Sequence, residues 1–175
     1  MPDMDSFVHP SHVAVQAETD EHSFEEFFQH EKFDLFGLLC IVTRNRHEAE
    51  ELTQEAFVRV LERWDRVGTM EDPRGYLYRT AMNVVRSRYR RSLLAARRPL
   101  GLTRPDDAIA VVDDQDAAMR ALAQLSPQQR AAVVLVDLLD FSSDEAAQVL
   151  GIRPSTVRMH TSRAHKALKG TMQDD

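Results

Sequence analysis

The residues from Phe141 to Arg163 have the types and spacing to read DNA. Phe141-Ser142-Ser143-Asp144-Glu145-Ala146-Ala147-Gln148-Val149-Leu150-Gly151-Ile152 leads into Pro154-Ser155-Thr156-Val157-Arg158. This pattern predicts a helix-turn-helix. Ala146 and Ala147 are small enough for a second helix to cross close by. Gly151 can turn the chain sharply with positive φ. Ile152 and Val157 plug the angle between the helices. Val157, Thr161, Ala164 and Leu168 fall on one face. Ser155, Arg158, Met159, Ser162 and Arg163 are left pointing outward, where a major groove could receive them. Arg153 stands at the N-cap, where Ser or Thr is usual. Its side chain cannot cap the helix, but it can reach a phosphate.

A second constellation lies between Asp72 and Arg91. It places Tyr76, Tyr78, Tyr89 and Asn83 on one predicted helix with Arg74, Arg79, Arg86, Arg88, Arg90 and Arg91. Aromatic rings beside cations suit unstacked single-stranded bases. Core tyrosines beside solvated arginines are the plainer alternative. The segment His47–Phe57 is an acidic amphipathic helix. His47 and Glu51 are one turn apart, but no second histidine completes an HExxH pattern, so no metal site is expected. No nucleophile with an adjacent base is found either, so neither an enzyme nor a cofactor is predicted. Cys40 is the single cysteine and lies in an apolar run, which suits an inert thiol in a reducing compartment.

Charge distribution sharpens this picture. The net charge of −6 argues against nucleic acid when taken alone. Yet Pro73–Pro105 contains no Asp or Glu and nine arginines, and Ala146–Gln173 contains Arg153, Arg158, Arg163, Lys166 and Lys169 and no acid. Acidic stretches precede each block: Met1–Glu31 has no Lys or Arg, and Asp106, Asp107, Asp113, Asp114 and Asp116 cluster before the second. Two basic blocks predict two separate contacts with a polyanion. No apolar run is long enough for a membrane span, and no signal peptide is evident, so a cytoplasmic protein is expected.

These residues need helices to position them. The chain has 175 residues, enough for two small domains, and few glycines or prolines. Residues 1–22 lack periodicity and are expected to form a flexible acidic tail. From Ser23, Phe24, Phe27, Phe28, Leu35, Leu38, Leu39 and Val42 recur at helical steps. A second helix is predicted from about His47 to Trp64, with a break at Val67-Gly68-Thr69. Asp72-Pro73 then caps and opens a third helix to about Arg98. Residues 99–114 read as a flexible linker. Four short helices follow. One lies near Gln115–Gln124, two open on the capping boxes at Ser126 and Ser142, and one starts at Pro154. The prediction is all-α: two small helical domains and a linker.

The two constellations, in this order and separation, resemble the extracytoplasmic-function (ECF) sigma factors of the sigma-70 family. The resemblance covers about Ser23 to Gly170. It implies that residues 23–98 are region 2, which binds core polymerase and recognises and melts the −10 element. It implies that 115–170 are region 4, which recognises the −35 element, with 171–175 a short tail. A region 3 domain is absent between them. The His47–Phe57 helix would dock on the clamp helices of the polymerase β′ subunit through Glu50, Glu51, Gln54 and Glu55. Thr53 departs from the apolar residue usual there. Trp64, Tyr78, Arg79, Asn83, Arg86 and Arg90 would serve the −10 element, with Asn83 reading a flipped base. Arg153, Ser155, Thr156, Arg158, Met159, Ser162 and Arg163 would serve the −35 element. Implied partners are core RNA polymerase, through its β′ clamp helices and β flap, and promoter DNA. An anti-sigma factor is a further candidate. The acidic linker end would occupy the basic cleft of polymerase before RNA does, the alternative being a solvated spacer that sets the distance between the domains. A helix-turn-helix regulator that acts without polymerase is the alternative function.

Overall fold

The computed structural model describes residues 12–96 and 117–171, and all regular structure among them is helical. Residues 1–11, 97–116 and 172–175, which include the linker and the aspartate cluster from Asp106 to Asp116, lie outside the described residues.

Helix α1 spans His12–Thr43. It starts well before Ser23, so the stretch expected to be an unstructured tail is partly helical. Residues 12–22 contain Ala14, Gln16, Ala17 and Glu21 and no proline, a composition that extends a helix without apolar periodicity. Helix α2 follows at Arg46–Leu61. Its cap is Asn45, whose side chain accepts from the Glu48 amide at 3.0 Å. Arg44, between the two helices, takes the left-handed conformation at φ 58°. A one-turn helix α3, Trp64–Val67, replaces the last turn expected of α2. Helix α4 is Pro73–Ala96. As the sequence predicts, Asp72 opens it, accepting from the Gly75 amide at 2.7 Å.

Leu35, Leu38, Leu39 and Val42 of α1 pack with Ala49, Leu52, Ala56 and Val60 of α2 and Leu77, Ala81 and Val84 of α4. A fully buried leucine of this kind contributes roughly 1.5–3 kcal/mol of transfer free energy. The aromatic end of this core joins Phe24 and Phe27 to Trp64, at 5.2 and 5.1 Å between ring centroids, and Phe28 to Phe57 at 4.8 Å. Thr53 is buried, and its hydroxyl donates to the Ala49 carbonyl at 2.7 Å. The hydroxyl is satisfied within its own helix, so threonine occupies an apolar position without an orphaned donor.

The C-terminal half holds α5 (Ala117–Ala123), α6 (Pro127–Val133), α7 (Ser143–Leu150) and α8 (Pro154–Thr171). Both predicted capping boxes form: Ser126 with Gln129, and Ser142 with Glu145. Gly151 ends α7 in the left-handed conformation at φ 63°. No sequence signal marks the π-turn at Val134–Leu138, which continues α6 and is followed by Asp140 in the left-handed conformation at φ 56°.

The two halves pack on each other around one continuous apolar cluster. Helix α7 lies on α4, and α6 lies on α1. At the seam the Tyr78 ring meets Phe141 at 5.1 Å, and the Arg74 guanidinium lies 4.5 Å above the Phe141 ring. The all-α expectation and its two helical units hold.

Candidate nucleic-acid interface

Helix α8 carries the simpler of the two basic faces. Val157 and Ala164 are fully buried against α6 and α7, and Thr161 and Leu168 are partly buried. Arg153, Ser155, Arg158, Met159, Ser162 and Arg163 are all exposed, while Thr156 is half-buried at the margin. Lys166 and Lys169 are exposed too and continue the Ser155–Ser162 stripe along the helix. The sequence places them in the second basic block, and their helical spacing could have added them to the DNA-facing set. The Arg153 carbonyl accepts from the amides of Thr156 and Val157, at 2.9 and 3.1 Å. Its backbone therefore starts the helix, and its side chain stays in solvent.

Helix α4 is more divided. Arg79, Asn83 and Arg90 are exposed at helical spacing on one face. Three of the residues expected beside them are not presented there. Trp64 is 8% exposed and held between Phe24 and Phe27. Tyr78 is fully buried, and its hydroxyl has no hydrogen-bond partner among the described residues. Burial, followed by the charge of Glu31, raises its pKa above the usual tyrosine value. Arg86 donates from Nε to the Met82 carbonyl and from Nη2 to the Val149 carbonyl, each at 3.1 Å. Trp64 and Tyr78, both expected to serve the −10 element, are core residues in this arrangement. The reason is a second apolar stripe on α4, Tyr78-Met82-Val85, that faces the C-terminal half. A helix with two apolar stripes has two neighbours, and this signal was available in the sequence. Tyr89, 64% exposed, is the tyrosine of this helix that does lie open to solvent.

The acidic helix α2 also divides. Glu50 and Gln54 are exposed and carry no ion pair among the described residues. Glu51 and Glu55 are gripped by Arg88 of α4, at 2.6 and 3.2 Å, and Glu55 is also bound by Arg59 at 2.6 Å. The Arg88 hydrogen bond holds the Glu51 carboxyl below the usual carboxylate range. Val58 and Leu61 extend the Glu50–Gln54 stripe as exposed apolar residues, a feature the charge pattern concealed. Among the described residues no group of three His, Cys, Asp or Glu side chains could hold a metal ion, and no helix is long and apolar enough to cross a membrane.

Comparison with known proteins adds to this geometry. The sigma-70 region 2 family matches residues 27–93, and the sigma-70 region 4 family matches residues 115–168. The ECF RNA polymerase sigma factor SigM of Mycobacterium tuberculosis is 28% identical over 162 residues, covering 89% of this chain and 80% of that protein. The RNA polymerase sigma factor CarQ of Myxococcus xanthus is 31% identical over 158 residues, covering 85% of this chain and 88% of CarQ. Among solved structures, the sigma factor RpoE of Bartonella quintana, in complex with the anti-sigma factor NepR, superposes with a TM-score of 0.67. That match covers 87% of this chain and 98% of RpoE at 21% identity.

Proposed function

Since this chain belongs to the ECF branch of the sigma-70 family, we propose that its two basic faces and its acidic helix divide the work of promoter-directed initiation. The protein is an RNA polymerase sigma factor. It binds core polymerase and directs transcription from promoters through their −10 and −35 elements. The observation that carries this reading is that one chain holds both matched segments, each with an exposed basic helix.

Residues 23–98 serve as the polymerase-binding and −10 domain, residues 99–114 as the linker, and residues 115–170 as the −35 domain. On α2, Glu50 and Gln54 are the readiest polymerase contacts. Glu51 and Glu55 can join them only by exchanging Arg88 and Arg59 for basic groups of the partner. On α4, Asn83 reads a melted base, and Arg79 and Arg90 hold phosphates in register. Arg86 and Tyr78 can reach DNA only when α7 leaves α4. On α8, Arg158 and Ser162 face bases. Arg153, Arg163, Lys166 and Lys169 supply phosphate contacts. The chain makes and breaks no bonds itself, acts in the cytoplasm, and is open to control by an anti-sigma factor.

The test is co-purification with core polymerase, followed by run-off transcription on fragmented genomic DNA. Discrete polymerase-dependent transcripts support the assignment. Tight binding to a DNA palindrome without polymerase would instead support an ordinary helix-turn-helix regulator.

A further inference from the structure

Two arginines cross the seam in opposite directions and do the same job. Arg86 of α4 reaches the C-terminal half, where Nη2 donates to the Val149 carbonyl in the last turn of α7. Arg130 of α6 reaches the N-terminal half, where Nη2 donates at 2.9 Å to the Val42 carbonyl in the last turn of α1. The second fork of Arg130 donates to the Leu125 carbonyl at 2.7 Å. Both receiving helices end in a left-handed residue, Gly151 at φ 63° and Arg44 at φ 58°. A helix C-terminus offers unpaired carbonyls and partial negative charge, so a guanidinium is a suitable cap.

The seat for Arg86 is shaped by Gly151. A Cβ at that position would stand 2.8 Å from Nη1 of Arg86. Gly151 therefore both turns the chain and leaves room for the cap. Neither arginine has a carboxylate partner among the described residues. Each is partly desolvated, and its next charged influence is another arginine, Arg90 for Arg86 and Arg44 for Arg130. Among the described residues, the seam is thus fastened by cations whose charge is met by backbone carbonyls. A phosphate would be a stronger partner for either guanidinium.

We infer that Arg86 and Arg130 form a reciprocal pair of latches that hold the two halves closed, and that nucleic acid phosphate opens them by taking Arg86 from the end of α7. The inference rests on the sigma-factor reading for its consequence, since opening uncovers α4. It goes beyond that reading in naming what closes the chain. The two latches are not equivalent. Opening at Arg86 removes a phosphate contact, whereas opening at Arg130 leaves α4 complete.

The experiment uses the full chain with Cys40→Ala, Glu26→Cys and Gly170→Cys, where a side chain on α8 would meet nothing within 4 Å, labelled for energy transfer between α1 and α8. Wild-type background should show high transfer that falls as a single-stranded oligonucleotide is added. Arg130→Ala should show low transfer before any DNA is added, with binding to the oligonucleotide tightened about threefold or more once the closed population is gone. Arg86→Gln should also show low transfer, without tighter binding. Gly151→Asn keeps a residue that tolerates the left-handed turn and crowds the flexible tip of Arg86, so it should lower transfer less than Arg86→Gln does, and tighten binding because Arg86 is retained. If Arg130→Ala fails to fold, as judged by its helical circular dichroism, the other two variants decide. Unchanged transfer in the folded variants overturns the latch. So does opening without the predicted split in DNA binding. Wild-type run-off transcription with core polymerase is measured in parallel. Its absence would sink the sigma-factor reading and leave the transfer result standing.

Discussion

Helices α4 and α8 both come from acid-free basic stretches, yet they use their cations differently. On α8, Arg158, Arg163, Lys166 and Lys169 all face solvent. On α4, Arg74 pairs with Glu31 at 3.2 Å, Arg86 caps α7, and Arg88 clamps Glu51 and Glu55, while Arg79 and Arg90 lie exposed on one face. A basic block in sequence counts cations but not vacancies. The difference arises because α8 has neighbours on one side, whereas α4 lies between α2 and α7.

The largest expected effect tests whether the two halves share one core. Leu77 is fully buried in that cluster. Leu77→Ala should cost about 2–5 kcal/mol and lower the melting of both halves together in calorimetry. A C-terminal transition that stays at its wild-type temperature would break the shared-core view.

Next comes the contrast between base and phosphate contacts on α8. Arg158→Ala should lose about 1–3 kcal/mol of discrimination at one position of the −35 element. Arg163→Ala should weaken transcription evenly across promoter variants. Run-off assays on a set of −35 substitutions separate the two. Identical preference profiles would erase the assigned roles.

A smaller effect concerns the start of α7. Ser142→Ala removes the acceptor for the Glu145 amide and should cost about 1 kcal/mol. Hydrogen bonds from Ser142 lower the Glu145 pKa. A depressed carboxylate contributes stability that is present above its unfolded value, about 4.3, and is lost as pH falls through the lower folded value. The stability gap between wild type and Glu145→Gln should therefore close as the solution is acidified from neutral pH. A gap that widens on acidification would contradict the capping-box account.

The smallest effect is expected at Arg88. Its ion pairs are largely solvated, so Arg88→Ala should change stability by no more than about 1 kcal/mol, read by urea titration. The same substitution uncovers Glu51 and Glu55, and co-purification with core polymerase should then become more salt-dependent. A large stability loss would show that α4 relies on this clamp more than its exposure suggests.

The C-terminal half was readable where structure is local. The capping boxes, the glycine turn and the inward face of α8 all depend on residues within a few positions of one another. The short α3, the π-turn and the early start of α1 were not, because each depends on packing or on weak propensity alone. Likewise, Tyr78 lies among arginines as a DNA-binding platform would, and only tertiary neighbours show that it and Trp64 are covered. Charge reading had the same limit: Arg88 and Glu51 lie 37 residues apart, and nothing local pairs them.

The aromatic end of the N-terminal core also provides an optical probe. Trp64 is the sole tryptophan of the chain, and Phe24 and Phe27 enclose it far from the helix-turn-helix in sequence. Its emission therefore reports on the packing of α1 with α3. Far-ultraviolet dichroism, by contrast, sums all helices. Recorded through the same denaturant titration, the two signals can be compared for coincidence. An emission change that precedes the loss of dichroism would mark loosening of the aromatic cluster while the helices of the other half persist.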